Sequence, residues 1–225
     1  YHEKLIQLSG VIGTENAVEN IKYCQSKNIG KKNETSPNEQ ALIELEANVK
    51  KKLSKDYFSS VKEAEETEII LPMLAEKYED FEDKIDWEKD EIYIQPKLDG
   101  MRCLKKQSTL KSREGNEIIT MDHIASELNH IKDIFDGELY AHGDDFQTNM
   151  EYVKKYRKGE SEKIKYHVYD MVLTDQPFST RHALLSAIIH EFKSDNIILV
   201  PTYKITSKEE LDFYNETFIS EGYEG

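Results

Sequence analysis

The chain has 225 residues, of which 38% are hydrophobic, and a formal net charge of −14. This length is sufficient for one large domain, or for one domain with a small appendage, and the 13 Tyr and 8 Phe can build a core, which argues against a disordered protein. No apolar run approaches the roughly 20 residues that span a bilayer, and no secretory leader is visible, so no membrane partner is expected. The chain begins at Tyr1 and stops at Gly225 inside an expected strand, which suggests a fragment.

The acidic charge is concentrated in one segment. Residues 61–91 contain 13 acidic residues and four lysines, which accounts for −9 and leaves −5 for the rest of the chain. The net charge argues against a nucleic-acid partner, but this distribution weakens the argument. Four basic clusters can either contact phosphates or be ordinary solvated surface: Lys31-Lys32, Lys50-Lys51-Lys52, Lys105-Lys106 and Lys154 to Lys158.

The cysteines and histidines show no metal-ligand spacing. Cys24 and Cys103 lie far apart, and we interpret them as reduced, half-buried thiols of a cytosolic protein without a disulfide framework or a zinc site. Of the seven histidines, His142 and His167 lie near the motifs described below, where we interpret them as structural residues.

Residues 1–57 are predicted to form a small α+β unit. Residues 5–8 are typical of a strand that ends at turn glycines, and residues 17–23 of a second strand or a short helix. The clearest element is a helix that begins after Ser36, because Pro37 suits the first helical position and Glu39 completes a capping box. Apolar residues then recur as one helical stripe at Leu42, Leu45, Val49 and Leu53.

Residues 58–91 are predicted to be an acidic connector, and residues 92–225 a second domain. The connector contains an apolar island at residues 69–74, which we expect to pack against that domain. From Ile92 onward strands alternate with helices, which indicates an α+β or mixed α/β fold. The predicted strands are 92–96, 101–106, 134–140, 164–173 and 196–202. The predicted helices are 122–132, 145–157, 179–192 and 207–219, the last with a second capping box formed by Ser207 and Glu210.

One tight turn contains the residues that best fit a catalytic role. A lysine follows a strand, and an Asp-Gly turn and an arginine come directly after it, in the run Ile94-Gln95-Pro96-Lys97-Leu98-Asp99-Gly100-Met101-Arg102. Such a turn projects the amine into a pocket, while Gly100 permits close approach of the backbone to a ligand and Arg102 offers a fork for phosphate or ribose oxygens. A lysine acts as a nucleophile only when deprotonated, which requires desolvation or cationic neighbours.

Three later segments add the groups that such a nucleophile needs. A strand ends with a carboxylate beside a glycine in Phe135-Asp136-Gly137-Glu138-Leu139-Tyr140, and a later strand places Tyr169 next to Asp170. The chain closes with two acid–glycine pairs in Glu221-Gly222-Tyr223-Glu224-Gly225. Together these segments supply an aromatic face for a base and carboxylates for a divalent cation.

This order of motifs resembles the covalent nucleotidyltransferase superfamily, which comprises DNA ligases, RNA ligases and mRNA capping enzymes. The resemblance spans about residues 90–225. The runs Asp136-Gly137-Glu138-Leu139-Tyr140-Ala141-His142-Gly143 and Pro177-Phe178-Ser179-Thr180-Arg181 look most like ATP-dependent DNA ligases of phages and large viruses. The resemblance implies an α+β, ATP-grasp-like adenylation domain of antiparallel and mixed sheets with flanking helices. The OB-fold and the lysine pair that follow this domain in the family are absent from the chain.

The resemblance also implies an activity. Such an enzyme seals nicks between a 5′-phosphate and a 3′-hydroxyl, in DNA replication, repair or recombination, through a lysyl-AMP intermediate. It would use ATP and Mg²⁺ or Mn²⁺, act as a monomer on nicked duplex DNA, and work in the cytoplasm, which is the host cytoplasm for a viral or phage protein.

The resemblance also implies roles for individual residues. Lys97 would be the adenylated nucleophile, with Asp99 orienting the turn and Arg102 holding ribose or phosphate. The remaining AMP-binding residues would be Ile94, Gln95 toward the adenine amino group, Arg113 as a phosphate ligand that also contacts nucleic acid, Glu138 at the ribose and Tyr169 stacked on the base. Glu138 and Glu224 would bind the metal, and Glu221 would be a surface acid at a helix end.

Several alternatives stay open at this point. An RNA ligase of the same superfamily and a GTP-dependent capping guanylyltransferase fit the same motifs, and a module that binds nucleotide without turnover is a further possibility. The amino-terminal unit weakly resembles a WGR-type module, in which case it would contact DNA. It can equally be a packing unit that stabilises the catalytic domain.

Overall fold

The computed structural model describes residues 3–53, 57–66, 70 and 72–225. The chain divides into two compact units, Tyr1–Ile69 and Ile70–Gly225. The single boundary falls inside the segment predicted as a connector, and the three-part division at residues 57 and 91 stays a prediction. Among the described residues, no helix has both the length and the apolar character needed to cross a membrane.

The first unit contains a hairpin and two helices. Strand β1 (Lys4–Ser9) pairs antiparallel with β2 (Val18–Tyr23), so the segment 17–23 that fits either a strand or a helix is a strand. Helix α1 spans Pro37–Leu53 and α2 spans Val61–Glu66. The predicted capping box is confirmed, because the Ser36 N–H donates to the Glu39 carboxylate at 2.8 Å and the Glu39 N–H donates to Ser36 Oγ at 3.3 Å.

The apolar stripe of α1 lies on the exposed side of that helix. The buried residues of α1 are Gln40 and Ala41, whereas the stripe residues Leu42, Leu45, Val49 and Leu53 are all exposed. The repeat therefore predicted the helix correctly but did not identify its buried face. The buried side of α1 is instead fixed by polar contacts, in which Gln40 Nε2 and the ammonium groups of Lys22 and Lys27 all donate to the Glu44 carboxylate.

The second unit is built on a five-stranded mixed sheet with the strand order β5-β4-β6-β7-β8. Its strands are β4 (Met101–Lys106), β5 (Thr109–Ser112), β6 (Phe135–Tyr140), β7 (Lys165–Met171) and β8 (Ile197–Leu199), of which only β7 and β8 pair in parallel. A separate two-stranded sheet joins β3 (Ile92–Ile94) to β9 (Tyr203–Ile205). The helices are α3 (Asp122–Glu127), α4 (Phe146–Lys154), α5 (Phe178–Phe192) and α6 (Lys208–Ser220). The predicted α+β class is confirmed.

Several predicted elements of this unit differ from the structure. The predicted helix 122–132 ends at Glu127, and strand β5 was not predicted. The predicted strand 196–202 is shorter than expected, since β8 ends at Leu199, and β9 was not predicted and belongs to a different sheet. Pro201 lies between these two strands, and because proline has no N–H to donate to a ladder it favours a break at this position.

The central strands approach one another closely around Gly137. A Cβ on Gly137 would lie 2.4 Å from the His167 carbonyl oxygen, so no larger residue fits at this point of β6. The buried Tyr166 hydroxyl lies 2.9 Å from the carbonyl oxygens of both Cys103 and Phe135, so its single proton has two acceptors inside the core. The core is apolar, and its largest fully buried apolar members are Phe135, Leu110, Met121, Ile124, Leu128, Leu139, Ile164, Leu185 and Ile197.

Two expectations about polar residues are wrong. Both cysteines are buried rather than half-buried, and burial raises the pKa of the Cys103 thiol well above its usual range. The predicted basic cluster Lys105-Lys106 is not a surface cluster, because Lys105 has no exposed surface. Its ammonium donates to the carbonyl oxygens of Ile131 and of Asp133, the latter at 2.9 Å, and burial lowers the pKa of Lys105 to about 8.

The apolar island of the acidic segment also differs from expectation. Ile69 and Leu71 lie outside the described residues, and the side chains of Met73 and Leu74 are exposed. The contact with the sheet is made instead by the Met73 carbonyl oxygen, which accepts a hydrogen bond of 2.6 Å from Arg102 Nη1. This segment also contains two short 3₁₀ turns, Tyr78–Asp80 and Glu82–Lys84.

Replacing Lys105 with alanine is expected to lower the free energy of unfolding by about 2–5 kcal/mol, because it leaves a cavity and two carbonyl oxygens without their donor. Urea unfolding measures this change. Lys132→Ala is the matched control, since Lys132 is a neighbouring exposed lysine, and its effect should stay within about 0.5 kcal/mol. Equal stabilities of the two variants would show that the Lys105 contacts do not support the core.

Candidate active site

Lys97 lies in the turn between β3 and β4 and is paired with the last residues of the chain. Its N–H donates to the Gly225 carbonyl oxygen at 2.7 Å, and the Glu224 N–H donates to the Lys97 carbonyl oxygen at 3.0 Å. The Lys97 ammonium also forms an ion pair with the Glu224 carboxylate. The Lys97 side chain is 66% exposed, so its amine is accessible from solvent.

The end of α6 directs Glu224 toward Lys97. Gly222 has a positive φ of 90°, its N–H donates to the Ile219 carbonyl oxygen, and the Tyr223 N–H donates to the Phe218 carbonyl oxygen. This pair of bonds, with the ring contact between Tyr223 and Phe218 at 6.1 Å, is a Schellman motif, which ends the helix and reverses the chain. Glu221 is the exposed residue at the helix end, as predicted from the sequence.

Gly100 and Asn149 fix the turn that follows Lys97. A Cβ on Gly100 would lie 2.4 Å from the Leu139 carbonyl oxygen, so the close approach made by Gly100 is to the protein's own strand β6. Asn149 is fully buried on α4, accepts from the Ala141 N–H at 2.8 Å and donates to the Asp99 carbonyl oxygen at 3.4 Å. The turn is therefore attached both to the sheet and to α4.

Arg102 is held by a two-pronged ion pair with Asp136. Its Nε and Nη2 donate to the two Asp136 carboxylate oxygens at 3.1 and 2.6 Å, and the side chains of both residues are largely buried. The Tyr169 hydroxyl donates to the same carboxylate at 3.3 Å, and its ring lies 5.9 Å from the guanidinium carbon. With the bond to Met73, Arg102 donates three of its five N–H groups to described residues, which leaves two that can contact a ligand.

The Gln95 side chain is oriented by two hydrogen bonds. Its Nε2 donates to the Tyr169 carbonyl oxygen at 3.1 Å and to Thr202 Oγ1 at 2.9 Å. Because both amide hydrogens are donated within the protein, the Gln95 carbonyl oxygen is the group that can accept a hydrogen bond from a ligand amine. Ile94 precedes it at the end of β3, half-buried and opposite Tyr203.

Glu138 is a carboxyl group without a dedicated cation. It is the cross-strand neighbour of Arg102, but Arg102 pairs with Asp136 instead. Burial raises the pKa of Glu138 to about 8, which outweighs the opposing effect of the Arg102 charge, and the nearby Asp136 carboxylate adds to the rise. A bound cation would favour the ionised form of this group.

A cavity of about 840 Å³ lies between β4, β6, α4 and the loop after β5. Arg102, Arg113 and Glu138 line it together, as does Ser112, whose hydroxyl is buried and has no hydrogen-bond partner among the described residues. The described residues that line this cavity do not include Lys97, Gln95, Tyr169 or Glu224. The predicted site residues thus form two groups, which are joined through Arg102 and its contacts with Asp136 and Tyr169.

The carboxylates of the site suit a cation that retains water. Within the described ranges, no three His, Cys, Asp or Glu residues lie close enough to hold a metal ion by themselves. Mg²⁺ in nucleotide sites is commonly bound by one or two carboxylates together with substrate phosphates. Glu138, which is half-buried and has no ion pair among the described residues, and Glu224, which is exposed beside Lys97, provide that donor chemistry.

Three residues that position the site were not singled out from the sequence. Asp136 anchors Arg102, Asn149 joins the Asp99 turn to α4, and Tyr223 connects the end of α6 to the segment that carries Glu224. Asp136 precedes the glycine of the predicted strand motif, which was an available signal. Nothing in the local sequence marks Asn149 as buried, because an asparagine in a helix is ordinarily exposed.

Comparison with known families gives one match, to the family described as the ATP dependent DNA ligase domain, over residues 72–225. The match includes every predicted site residue and excludes all of the first unit. No curated protein sequence matches the chain.

Solved structures show the same fold. A Lig E DNA ligase, described as binding DNA with a minimal scaffold, is similar with a TM-score of 0.59 and 21% identity, covering 70% of this chain and 60% of that protein. The Chlorella virus DNA ligase in its adenylate form is similar with a TM-score of 0.57 and 27% identity, covering 70% of this chain and 58% of the viral protein. The chain thus spans about three-fifths of the length of each.

Gly100→Ala is expected to destabilise the protein by about 1–3 kcal/mol, because the new methyl group would overlap the backbone of β6. Gly159→Ala is the control: no atom lies within 4 Å of the added Cβ, but its φ of 83° should still cost about 1 kcal/mol. Thermal and urea unfolding compare the two. A smaller effect at position 100 than at position 159 would contradict the close approach.

Glu138→Gln should change how stability depends on pH. The pKa of Glu138 is about 8 in the folded protein and near 4.5 when unfolded, so the folded state binds more protons between these values and stability falls as pH rises through this window. The difference in unfolding free energy between wild type and variant should fall by up to about 1.4 kcal/mol per pH unit between pH 5 and 8. Urea titrations at four pH values measure it, and a constant difference would exclude the raised pKa.

Proposed function

The chain belongs to the family of ATP-dependent DNA ligase domains, and from this premise we propose that the protein seals nicks in duplex DNA through a covalent lysyl-AMP on Lys97. The observation that carries the proposal is the position of Lys97 within the matched region. It is a solvent-accessible lysine at the end of a strand, backbone-paired to Glu224 and followed by the rigid Asp99-Gly100 turn. The family match favours a DNA ligase over an RNA ligase or a capping enzyme.

The first step forms the lysyl-AMP. The deprotonated Lys97 Nζ attacks the α-phosphorus of ATP, a P–N bond forms, and the P–O bond to pyrophosphate breaks. The ammonium proton leaves to solvent before the attack, and the ion pair with Glu224 must therefore open. Because an exposed ion pair contributes about 1 kcal/mol or less, this opening is a small part of the barrier.

The next steps transfer AMP and join the strands. An oxygen of the 5′-phosphate at the nick attacks the α-phosphorus, which breaks the P–N bond, and protons from solvent return Lys97 to its ammonium form. The 3′-hydroxyl then loses its proton and attacks the 5′-phosphate, so a phosphodiester bond forms and AMP departs. Catalysis rests mainly on in-line positioning and on neutralisation of the phosphate charge.

The nucleotide would be held by groups that are already oriented. Gln95 would accept a hydrogen bond from the adenine amino group through its carbonyl oxygen, because both of its amide hydrogens are donated elsewhere. Tyr169 would offer a ring for the base beside the Arg102 guanidinium, whose two remaining N–H groups can reach ribose or phosphate oxygens. Arg113 would contact phosphate in the cavity that also contains Glu138.

A divalent cation would be held by Glu138 and Glu224, and Mg²⁺ or Mn²⁺ would supply neutralisation of the phosphate oxygens. We further propose nicked duplex DNA as the partner and a monomer as the acting form, in replication, repair or recombination. The chain spans about three-fifths of the length of the similar ligases, so these features are proposed for the whole protein.

Intact mass after incubation with Mg²⁺ and ATP, GTP or NAD tests the proposal. ATP alone should add the mass of one AMP, and Lys97→Ala should abolish the adduct because no amine remains to form the P–N bond. Lys204→Ala is the matched control, since Lys204 is also an exposed lysine paired with an acid, Glu91, and it should retain full labelling. Adduct persisting in Lys97→Ala would refute the assignment, and a GMP adduct would indicate a capping enzyme.

A further inference from the structure

A small cluster of rings lies next to the Lys97–Glu224 pair and takes no part in the steps above. It consists of Tyr140 at the end of β6, His142 in the following loop, and Tyr223 between α6 and Glu224. Tyr140 is 98% buried, whereas His142 is exposed. One side of the His142 ring is fixed to the core, and the other side contacts the segment that carries Glu224.

His142 is fixed to the core through Tyr140. The Tyr140 hydroxyl and His142 Nδ1 are hydrogen-bonded at 3.0 Å, and the two rings meet edge to face at 5.9 Å between centroids. The preceding residue, Ala141, donates its N–H to the buried side chain of Asn149. The same Asn149 side chain donates to the Asp99 carbonyl oxygen, so the loop that carries His142 and the turn that follows Lys97 share one anchor.

On its other side, the His142 ring packs against Tyr223 with 4.8 Å between centroids. A Cβ on Gly222 would lie 3.9 Å from the same imidazole, so the ring also lies against the turn that ends α6. Tyr223 is thereby enclosed between His142 and Phe218, the latter at 6.1 Å. The residue directly after Tyr223 is Glu224, which makes both the backbone bond and the ion pair with Lys97.

We propose that His142 is a positioning residue for the adenylation step: anchored by Tyr140, it holds Tyr223 and so fixes Glu224 beside the Lys97 nucleophile. The inference rests on the proposed function, because it assigns His142 a role in the same reaction. His142 does not touch the reacting atoms; it acts through Tyr223. A side chain that holds a segment in register changes the fraction of molecules in the reactive geometry, and hence the rate at saturating ATP more than the affinity for ATP.

Three variants separate the two contacts of His142. His142→Phe retains a ring against Tyr223 but loses the hydrogen bond to Tyr140, and Tyr140→Phe removes the same bond from the other side. His142→Asn retains a polar group near the Tyr140 hydroxyl but loses the ring contact. His130→Phe is the matched control, because His130 is an exposed histidine in ring contact with Phe192, at 5.4 Å, outside the candidate site.

The first measurement does not depend on activity. Hydrogen exchange of the Lys97 and Glu224 amides, followed by NMR, reports the two backbone bonds between these segments. All three variants should lose about threefold to tenfold protection at these amides, the effect of removing one hydrogen bond or ring contact. His130→Phe should retain wild-type protection. The double variant His142→Phe/Tyr140→Phe should lose no more protection at these amides than either single variant, because both substitutions remove the same hydrogen bond.

The second measurement is the single-turnover rate of lysyl-AMP formation as a function of ATP concentration. The rate at saturating ATP should fall about threefold to tenfold in the variants, while the half-saturating ATP concentration changes less than about twofold. Unchanged protection, or a change confined to ATP affinity, would overturn the role of His142. If the wild-type protein forms no AMP adduct, both the proposed function and the role of His142 fail. If the wild-type protein forms the adduct and the variants form it at the same rate, only the role of His142 is refuted.

Discussion

The candidate site depends on the backbone pairing of Lys97 with the segment Glu224-Gly225. Lys97 follows β3 and Glu224 follows α6, so the chain between them forms the entire five-stranded sheet before the two segments meet. The ion pair between their side chains is exposed and contributes too little to hold them together. Their position is instead imposed by the helix end at Gly222, by the two backbone hydrogen bonds and by the sheet beneath the turn.

A second feature of the site is the different environment of two neighbouring carboxyl groups, those of Asp136 and Glu138. Asp136 receives both prongs of Arg102 and the Tyr169 hydroxyl, so its charge is compensated within the protein. Glu138 lies opposite Arg102 on the adjacent strand but receives no such partner, and burial raises its pKa to about 8. Asp136 thus holds Arg102 in place, while the Glu138 carboxyl is available to a cation or a ligand hydroxyl.

The sheet also determines which of the basic residues that look equivalent in the sequence are buried and which are exposed. Along β4 alternate side chains point to opposite faces, so Arg102 faces the site while Cys103 and Lys105 face the core. Lys105 donates to carbonyl oxygens in the segment between α3 and β6 and is buried away from any contact with phosphates. The lysines from Lys154 to Lys158 are exposed, and Lys154 lines the cavity that contains Arg113.

Features that depend on neighbouring residues could be predicted from the sequence. The capping box at Ser36, the helices after Pro177 and Ser207, and the turn at Asp99-Gly100 follow from local hydrogen bonding and backbone preference. At Ser207 the box is only half formed, because Glu210 accepts from the Thr206 N–H instead. The order of the motifs around Lys97, Glu138 and Tyr169 was sufficient to indicate the family, since motif order does not depend on packing.

Which groups meet, and how deeply they are buried, depends on the packing of the folded chain. The exposure of the α1 stripe, the pairing of β8 and β9 in different sheets and the burial of Lys105 and Asn149 all depend on elements distant in the chain. The pKa of Glu138 depends on the same packing, because it reflects desolvation and the choice of Arg102 between two carboxylates. Periodicity and composition describe one segment at a time, whereas burial and charge pairing arise from contacts between segments that only the folded chain brings together.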